Sequence, residues 1–256
     1  MSDEKMQRVL ITGGGSGIGF SVAEGFSALG AKVCLMDLNV EKLEEAKTKL
    51  AAEDRTLTVA GSVTNENNVE DAITQMVDRF GGVDCVVTSA GIVKVEPALE
   101  ASLENFRQTL EINVTGSWIT AQRSASIMTE NGGGSIIFIG SVYGSSGAPL
   151  RTAYCASKGA VHNLTKSLAV EWGPLGIRVN AVAPTGVQTP MVQELIDSGS
   201  YNMTGVKART PLGRLAEPDE IANACIFLAS DKAAMINGAI LPVDGGWLAN
   251  GYTTTS

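Results

Sequence analysis

Short apolar runs alternate with longer amphipathic stretches along the whole chain. The runs are residues 8–12 (RVLIT), 32–37 (KVCLMD), 56–60, 85–89 (CVVTS), 135–141 (SIIFIGS), 178–182 (RVNAV) and 240–243. Between them, helical periodicity covers residues 17–29, 40–52, 64–80, 102–128, 152–172 and 217–229. The early runs are continuously apolar rather than alternating. Such strands are buried on both faces, as in a parallel sheet covered by helices. The alternation of strand and helix predicts an α/β fold: a doubly wound parallel sheet of seven strands with helices on both faces and right-handed crossovers. No internal repeat or linker interrupts the pattern, so one domain is expected over residues 1–256. The exception is 188–215, a segment without strong period that contains Pro190, Gly199, Gly205, Pro211 and Gly213. A stretch of that length in a compact domain is functional or mobile, and a substrate lid is the expectation.

Composition narrows the function classes. The 256 residues are 44% hydrophobic and 18% charged, enough apolar material for a sizeable core. The net charge of −8 disfavours nucleic acid and anionic lipid as partners. The polar, mixed-charge N-terminus does not read as a signal peptide, and no apolar run approaches the ~18 residues of a membrane span. Cys34, Cys85, Cys155 and Cys225 are far apart and read as free thiols of a reducing compartment, so a cytoplasmic location is expected. His162 is the only histidine and has no acidic or cysteine cluster beside it, which predicts no metal site.

The first run leads directly into Thr12-Gly13-Gly14-Gly15-Ser16-Gly17-Ile18-Gly19, which opens a helix. Glycines there let the backbone approach a pyrophosphate, and the helix N-terminus offers N–H groups and a positive dipole end. Asp37 ends the second run. Its carboxylate can accept hydrogen bonds from ribose hydroxyls and would repel a 2′-phosphate by ~4 kcal/mol for charges ~4 Å apart at an effective dielectric of ~20. Leu38 and Asn39 offer no compensating cation, so NAD is expected over NADP. The competing role for Asp37 is to cap the helix that starts near Val40.

Tyr154 and Lys158 are four residues apart at the start of a helix and share a face. A nearby ammonium stabilises a phenolate, which would bring the phenol's pKa down from ~10 and fit Tyr154 for proton transfer. Ser141, at the carboxyl end of the fifth run, can hold a substrate oxygen where open α/β sheets place their ligands.

Taken together, these motifs resemble the short-chain dehydrogenase/reductase family over essentially the whole chain. The matches are Thr12–Gly19, Asn113 in the middle helix, Ser141, Tyr154 with Lys158, and Asp244-Gly245-Gly246. The resemblance implies a Rossmann-like fold and a homotetramer or dimer. It assigns the catalytic roles to four residues. Tyr154 is the acid or base. Lys158 lowers its pKa and binds the nicotinamide ribose. Ser141 orients the substrate oxygen. Asn113 shapes its helix and anchors a water in a proton relay. The cofactor set is Gly13, Ser16, Gly17, Ile18, Gly19, Asp37, Ser62, Val63, Ser89, Tyr154, Lys158, Val187 and Thr189.

Three places depart from the family pattern: Ser62-Val63 after the third run, Thr88-Ser89-Ala90-Gly91 after the fourth, and Pro184-Thr185-Gly186 after the sixth. Thr88 and Ser89 are expected to hydrogen-bond locally and keep their turn. Thr185 is expected to narrow or polarise the substrate side. His162 is expected to be a satisfied, partly buried side chain, and Trp118 and Trp172 to serve packing. Trp247 is expected to border the site or a neighbouring subunit, and Arg151 and Lys94 stand near enough in sequence to contact a polar substrate.

The leading expectation is an NAD-dependent dehydrogenase of a secondary alcohol, a sugar or polyol. The alternatives are an NADPH-dependent 3-oxoacyl-type ketoreductase and, from another class, a catalytically silent NAD-binding regulator.

Overall fold

A computed structural model describes residues 7–251. Seven strands form one parallel sheet in the order β3-β2-β1-β4-β5-β6-β7. They are β1 (Arg8–Thr12), β2 (Lys32–Asp37), β3 (Thr56–Ala60), β4 (Cys85–Thr88), β5 (Gly134–Ile139), β6 (Ile177–Pro184) and β7 (Ile240–Val243). The expected doubly wound sheet is therefore present. Its order reverses at β1, which pairs with β2 on one side and β4 on the other. Ligands of such sheets bind at this reversal, beyond the carboxyl ends of the strands.

Alternate residues of each strand feed two separate cores. Leu10, Cys34, Met36, Val86, Ile136, Phe138 and Val179 face one side. There they meet α3 (Glu66–Phe80), α5 (Gly116–Glu130) and α6 (Thr152–Trp172). Val9, Ile11, Val33, Leu35, Val87, Ile137 and Val182 face the other. That side is covered by α1 (Gly17–Ala28), α2 (Val40–Leu50) and the last long helix, Pro218–Ala229. Burial on both faces explains why the runs read as continuously apolar.

Two stretches differ from the sequence expectation. The middle helical region is not one regular helix: α4 (Leu103–Leu110) passes through a π-helical turn at Glu111–Thr115 into α5. Segment 188–215 is not an irregular loop, because it holds α7 (Pro190–Asp197) and α8 (Met203–Arg209). These helices are short, each is capped at its N-terminus by its own Thr189 or Asn202, and neither has a fully buried residue. α7 is amphipathic, with Val192, Leu195 and Ile196 on one partly buried face, but both helices are under three turns long, Gly199 follows α7 and Gly205 falls within α8. The segment is fastened at its base, where Val187 bridges to Ala216 and Gln188 N–H donates to Ala216 O at 2.9 Å. The last long helix is α9 (Pro218–Ala229).

Candidate active site

The glycine turn between β1 and α1 is fixed by main-chain contacts. Gly13 has φ +65°, and a Cβ there would lie 2.8 Å from Ala90 N. A Cβ on Gly19 would collide with Gly13 O. Gly14 N–H donates to Met36 O, and Gly15 N–H donates to Asp37 Oδ2 at 3.1 Å. Ser16 is the N-cap of α1 but makes no side-chain capping bond, unlike Asn39, Asn65 and Ser102 at the starts of α2, α3 and α4. The N-terminal donors of α1 are thus left to an incoming anion.

Asp37 is not the cap of α2; Asn39 is, accepting from Lys42 N–H. The Asp37 carboxylate instead accepts from Gly15 and Asn39 N–H and lines a cleft of about 540 Å³. Gly13, Ser16, Ile18, Ser62, Val63, Ser89 and Thr189 line the same cleft. Gly17 and Val187 stand behind it. The φ +54° turn at Gly17 packs against Thr189, and Val187 is buried at the fastened base of the segment.

The departures from the family pattern are placed as follows. Ser62 Oγ is engaged with Thr64 Oγ1 at 2.8 Å. After β4 the turn survives, but through Thr12 rather than through Thr88: Ser89 N–H donates to Thr12 O, and Ala90 N–H to Thr12 Oγ1. Thr88 Oγ1 is buried without a partner, contrary to the local bond expected of it. Thr185 borders a second cavity, of about 550 Å³, with Leu212, Arg214 and Asp244.

Beside the cleft, α6 presents Tyr154 and Lys158 toward the end of β5. Lys158 is buried, donates from Nζ to Ile139 O at 2.7 Å, and lies 5.6 Å from the centre of the Tyr154 ring. Ser141 is buried at 6% exposure, and its hydroxyl hydrogen-bonds with the Tyr154 phenol. A Cβ on Gly91, which lines the cleft, would lie 3.9 Å from Lys158 Nζ. Asn113 sits in the π-helical turn. Its Oδ1 accepts from Ile92 N–H at 2.8 Å, and its Nδ2 donates to Ile92 O and to Ser157 Oγ. This one side chain clasps the exit of β4 to α6. The wide turn carries it inward, and π-turns of this kind recur at functional sites.

The electrostatics correct one expectation. Burial pushes the Tyr154 phenol up to about 12, and the hydrogen bond with Ser141 only partly opposes it. Lys158 does not lower it here. The same burial brings the Lys158 ammonium down to about 8, with its proton directed at a carbonyl.

Three neighbours, Tyr143, Arg209 and Tyr201, carried no clear signal in the sequence, whereas Arg151 and Trp247 were expected near the substrate. Tyr143 lies edge-on to Trp247, ring centres 5.6 Å apart, which puts Trp247 on the site. The Arg209 guanidinium covers the other part of Trp247 at 3.9 Å. Tyr201, from segment 188–215, sets its hydroxyl against Gly186 and admits no Cβ there. Arg151 donates to Ser200 O at 3.2 Å. The tyrosines were findable only by composition: the chain has four, and three of them, Tyr143, Tyr154 and Tyr201, meet here.

His162 also departs from expectation. It is buried against Gly140 and Gly144, where a Cβ would lie 2.6 and 2.5 Å from the ring. Its Nδ1 meets Ser145 Oγ at 3.3 Å, but Nε2 has no partner. Trp118 and Trp172 stack at 6.2 Å.

Residues 13–248 match the family model described as enoyl-(acyl carrier protein) reductase. Among curated proteins, D-threitol dehydrogenase of Mycolicibacterium smegmatis is 39% identical over 239 residues, 93% of this chain and 91% of that protein. Among solved structures, 3-ketoacyl-(acyl-carrier-protein) reductase from Brucella melitensis complexed with NADH aligns with a TM-score of 0.88 and 32% identity, over 94% of this chain and 98% of that one. ElxO with NADP bound aligns with a TM-score of 0.89 and 32% identity, over 95% and 99%.

Proposed function

The chain belongs to the short-chain dehydrogenase/reductase family, and from that premise we propose that it oxidises a secondary alcohol of the sugar or polyol class with NAD as hydride acceptor. The observation that carries this reading is the meeting of Ser141, Tyr154 and Lys158 at the carboxyl end of β5, beside a cleft opened by the glycine turn. The sugar or polyol class is supported by the D-threitol dehydrogenase relative.

The cleft fits a dinucleotide. Its floor is main chain that no Cβ can enter, the donors at the start of α1 suit a pyrophosphate, and Asp37 suits a ribose diol. Gly13, Ser16, Gly17, Ile18 and Gly19 would hold the pyrophosphate end. Asp37, Ser62 and Val63 would hold the adenosine end, and Ser89, Val187, Thr189, Tyr154 and Lys158 the nicotinamide end. When bound, oxidised nicotinamide supplies the hydride acceptor and a positive charge beside the phenol.

Ser141 and Tyr154 hold the alcohol oxygen between their hydroxyls. Tyr154 takes the alcohol's proton as the carbinol carbon gives up its hydride, and returns a proton in the reverse direction. Lys158, whose Nζ lies beside the phenol, passes the proton onward, and the positive charge that favours the phenolate is that of the oxidised nicotinamide. Asn113 keeps α6 and the exit of β4 in register through its bonds to Ile92 and Ser157, and a relay water at its main-chain carbonyl would share that oxygen with the Ser117 hydroxyl. Segment 188–215 closes over the substrate as a lid, pivoting on the Val187–Ala216 bridge.

The protein works as a single catalytic domain in the cytoplasm, as a homotetramer or dimer. Three buried thiols and one partly buried one suit a reducing compartment, and no described helix is long and apolar enough to cross a membrane. Trp118 at 38% exposure and Val170 at 80% offer α5 and α6 to a neighbour. Asp37 weighs against an NADPH-dependent 3-oxoacyl reductase, and the intact Ser141–Tyr154–Lys158 set weighs against a silent regulator.

Initial rates of NAD and NADP reduction over a panel of polyols, sugar acids and cyclic alcohols test the reading. NAD should be favoured by about 100-fold, a fraction of the ~4 kcal/mol repulsion set by Asp37, and Asp37→Ser should erode that preference. Absence of turnover with every secondary alcohol overturns it.

A further inference from the structure

We propose that Arg151 is a specificity residue and that the substrate is a hydroxy acid, whose carboxylate Arg151 binds while Tyr154 and Ser141 hold its secondary alcohol. This rests on the dehydrogenase reading above and shifts its substrate from the neutral polyol to the corresponding sugar acid.

Arg151 does nothing for the helix it precedes. It is the N-cap of α6, with φ −133° and ψ 34°, and makes no capping bond. A cation at that end of a helix is opposed by the helix dipole. The residue before it, Leu150, is held at φ +63°. A left-handed conformation is strained for a non-glycine residue, and strain of this kind persists where the surroundings dictate it. Together the two residues turn the guanidinium away from the helix and toward segment 188–215.

What the guanidinium meets there is neutral. It donates to Pro149 O at 3.3 Å and to Ser200 O at 3.2 Å. Among the described residues it forms no ion pair, although the chain carries 27 acidic residues against 19 Lys and Arg. Glu96 N–H donates to Leu150 O, but the Glu96 side chain forms no ion pair with Arg151 among the described residues. Its carboxylate is taken by Asn105 Nδ2 at 3.0 Å. The Arg151 charge acts on all three phenols of the site, Tyr143, Tyr154 and Tyr201. A partly buried guanidinium whose hydrogen bonds go to two carbonyls lacks the anion that its planar fork is built to grip. A neutral polyol cannot supply that anion. A carboxylate on the substrate can.

The test compares kcat/KM for matched pairs that differ only in the carboxylate: D-threonate against D-threitol, and D-galactonate against galactitol, with NAD. The wild type should favour the acid by about 10- to 100-fold, the range of a hydrogen bond to a charged group. Arg151→Gln should bring the acid-to-alditol ratio close to one, chiefly through KM, and Arg151→Lys should keep part of it. In the wild type, raising ionic strength should lower kcat/KM for the acids and leave the alditols alone. That measurement decides the matter should Arg151→Gln no longer bind nucleotide. An alditol preference in the wild type, a ratio unmoved by Arg151→Gln, or a salt effect equal for both classes overturns the assignment while leaving the dehydrogenase reading intact. Failure of both members of every pair, and of all other secondary alcohols, defeats that reading instead.

Discussion

The two halves of the site are made of different material. The nucleotide half, at the ends of β1, β2 and β4, is built from main chain. Gly14 and Gly15 N–H bond to Met36 O and Asp37, Ser89 and Ala90 N–H bond to Thr12, and Cβ atoms are excluded where a ligand would approach. The substrate half, beyond the ends of β5, β6 and β7, is built from side chains: Ser141, Tyr143, Tyr154, Arg151, Tyr201 and Trp247. Main chain recognises what all nicotinamide dinucleotides share. Side chains can distinguish what differs between substrates, and Tyr201, on a segment whose helices bury no residue, can change without disturbing the core.

Removing a single atom from the substrate half should have the largest effect on activity. Tyr154→Phe deletes the hydroxyl bonded to Ser141. We expect kcat to fall by about 10³-fold, or ~4 kcal/mol at ~1.4 kcal/mol per tenfold, while nucleotide affinity changes only severalfold. The pH profile carries a second signature. Burial holds the phenol above its usual pKa, up to about 12. A base must shed its proton to act, so wild-type oxidation should rise with pH across the neutral and alkaline range. That slope should vanish in Tyr154→Phe. Residual activity with an unchanged slope would place the acid–base group elsewhere and break the division between the halves.

The same division explains what the chain's own letters disclose. The glycine turn and Asp37 were legible because main-chain recognition forces glycine at fixed spacing and a carboxylate at the end of β2. The strands were legible because burial on both faces leaves runs such as RVLIT. Tyr154 and Lys158 were legible because a helix puts residues four apart on one face. Tyr143 and Tyr201 were not, since nothing local marks which of several aromatic side chains a fold will bring together. The helices of segment 188–215 were not expected because Pro190, Gly199, Gly205, Pro211 and Gly213 read as breakers, although Val192, Leu195 and Ile196 give α7 a short apolar face. Thr88 looked able to hydrogen-bond its own turn, yet Thr12, aligned with it in register, takes both bonds. The expectation that Lys158 would acidify Tyr154 considered charge alone. Burial acts on both groups at once and favours the neutral form of each.

A smaller effect is expected from adding one carbon to the nucleotide half. Gly13→Ala forces a side chain at φ +65° and sets its Cβ 2.8 Å from Ala90 N. Left-handed strain and overpacking together should cost about 3 kcal/mol. Denaturant unfolding should show the loss, and nucleotide titration should show weakened binding, with any residual activity keeping the wild-type ranking of substrates. A changed ranking would mean that the two halves are not independent.

The smallest effect tests the joint between the halves. His162 is wedged against Gly140 and Gly144, on either side of Ser141, with Nε2 unpartnered. Burial first, then the charges of Lys158 and Lys166, bring its pKa down from 6.5 to about 4. The unfolded chain therefore binds this proton at a higher pH than the folded one does. Stability tied to the neutral ring is complete above pH ~6.5, falls as the pH drops below it, and stops falling near pH ~4. At ~1.4 kcal/mol per unit, and allowing for a ring that is not wholly shut off from water, the loss should be about 2 kcal/mol. Urea midpoints across that window should show it in the wild type and not in His162→Leu, since leucine fills the wedge without titrating. Equal slopes in the two proteins would mean that the ring takes up its proton freely in the fold. Ser141 would then be held by its own turn rather than by what lies beneath it.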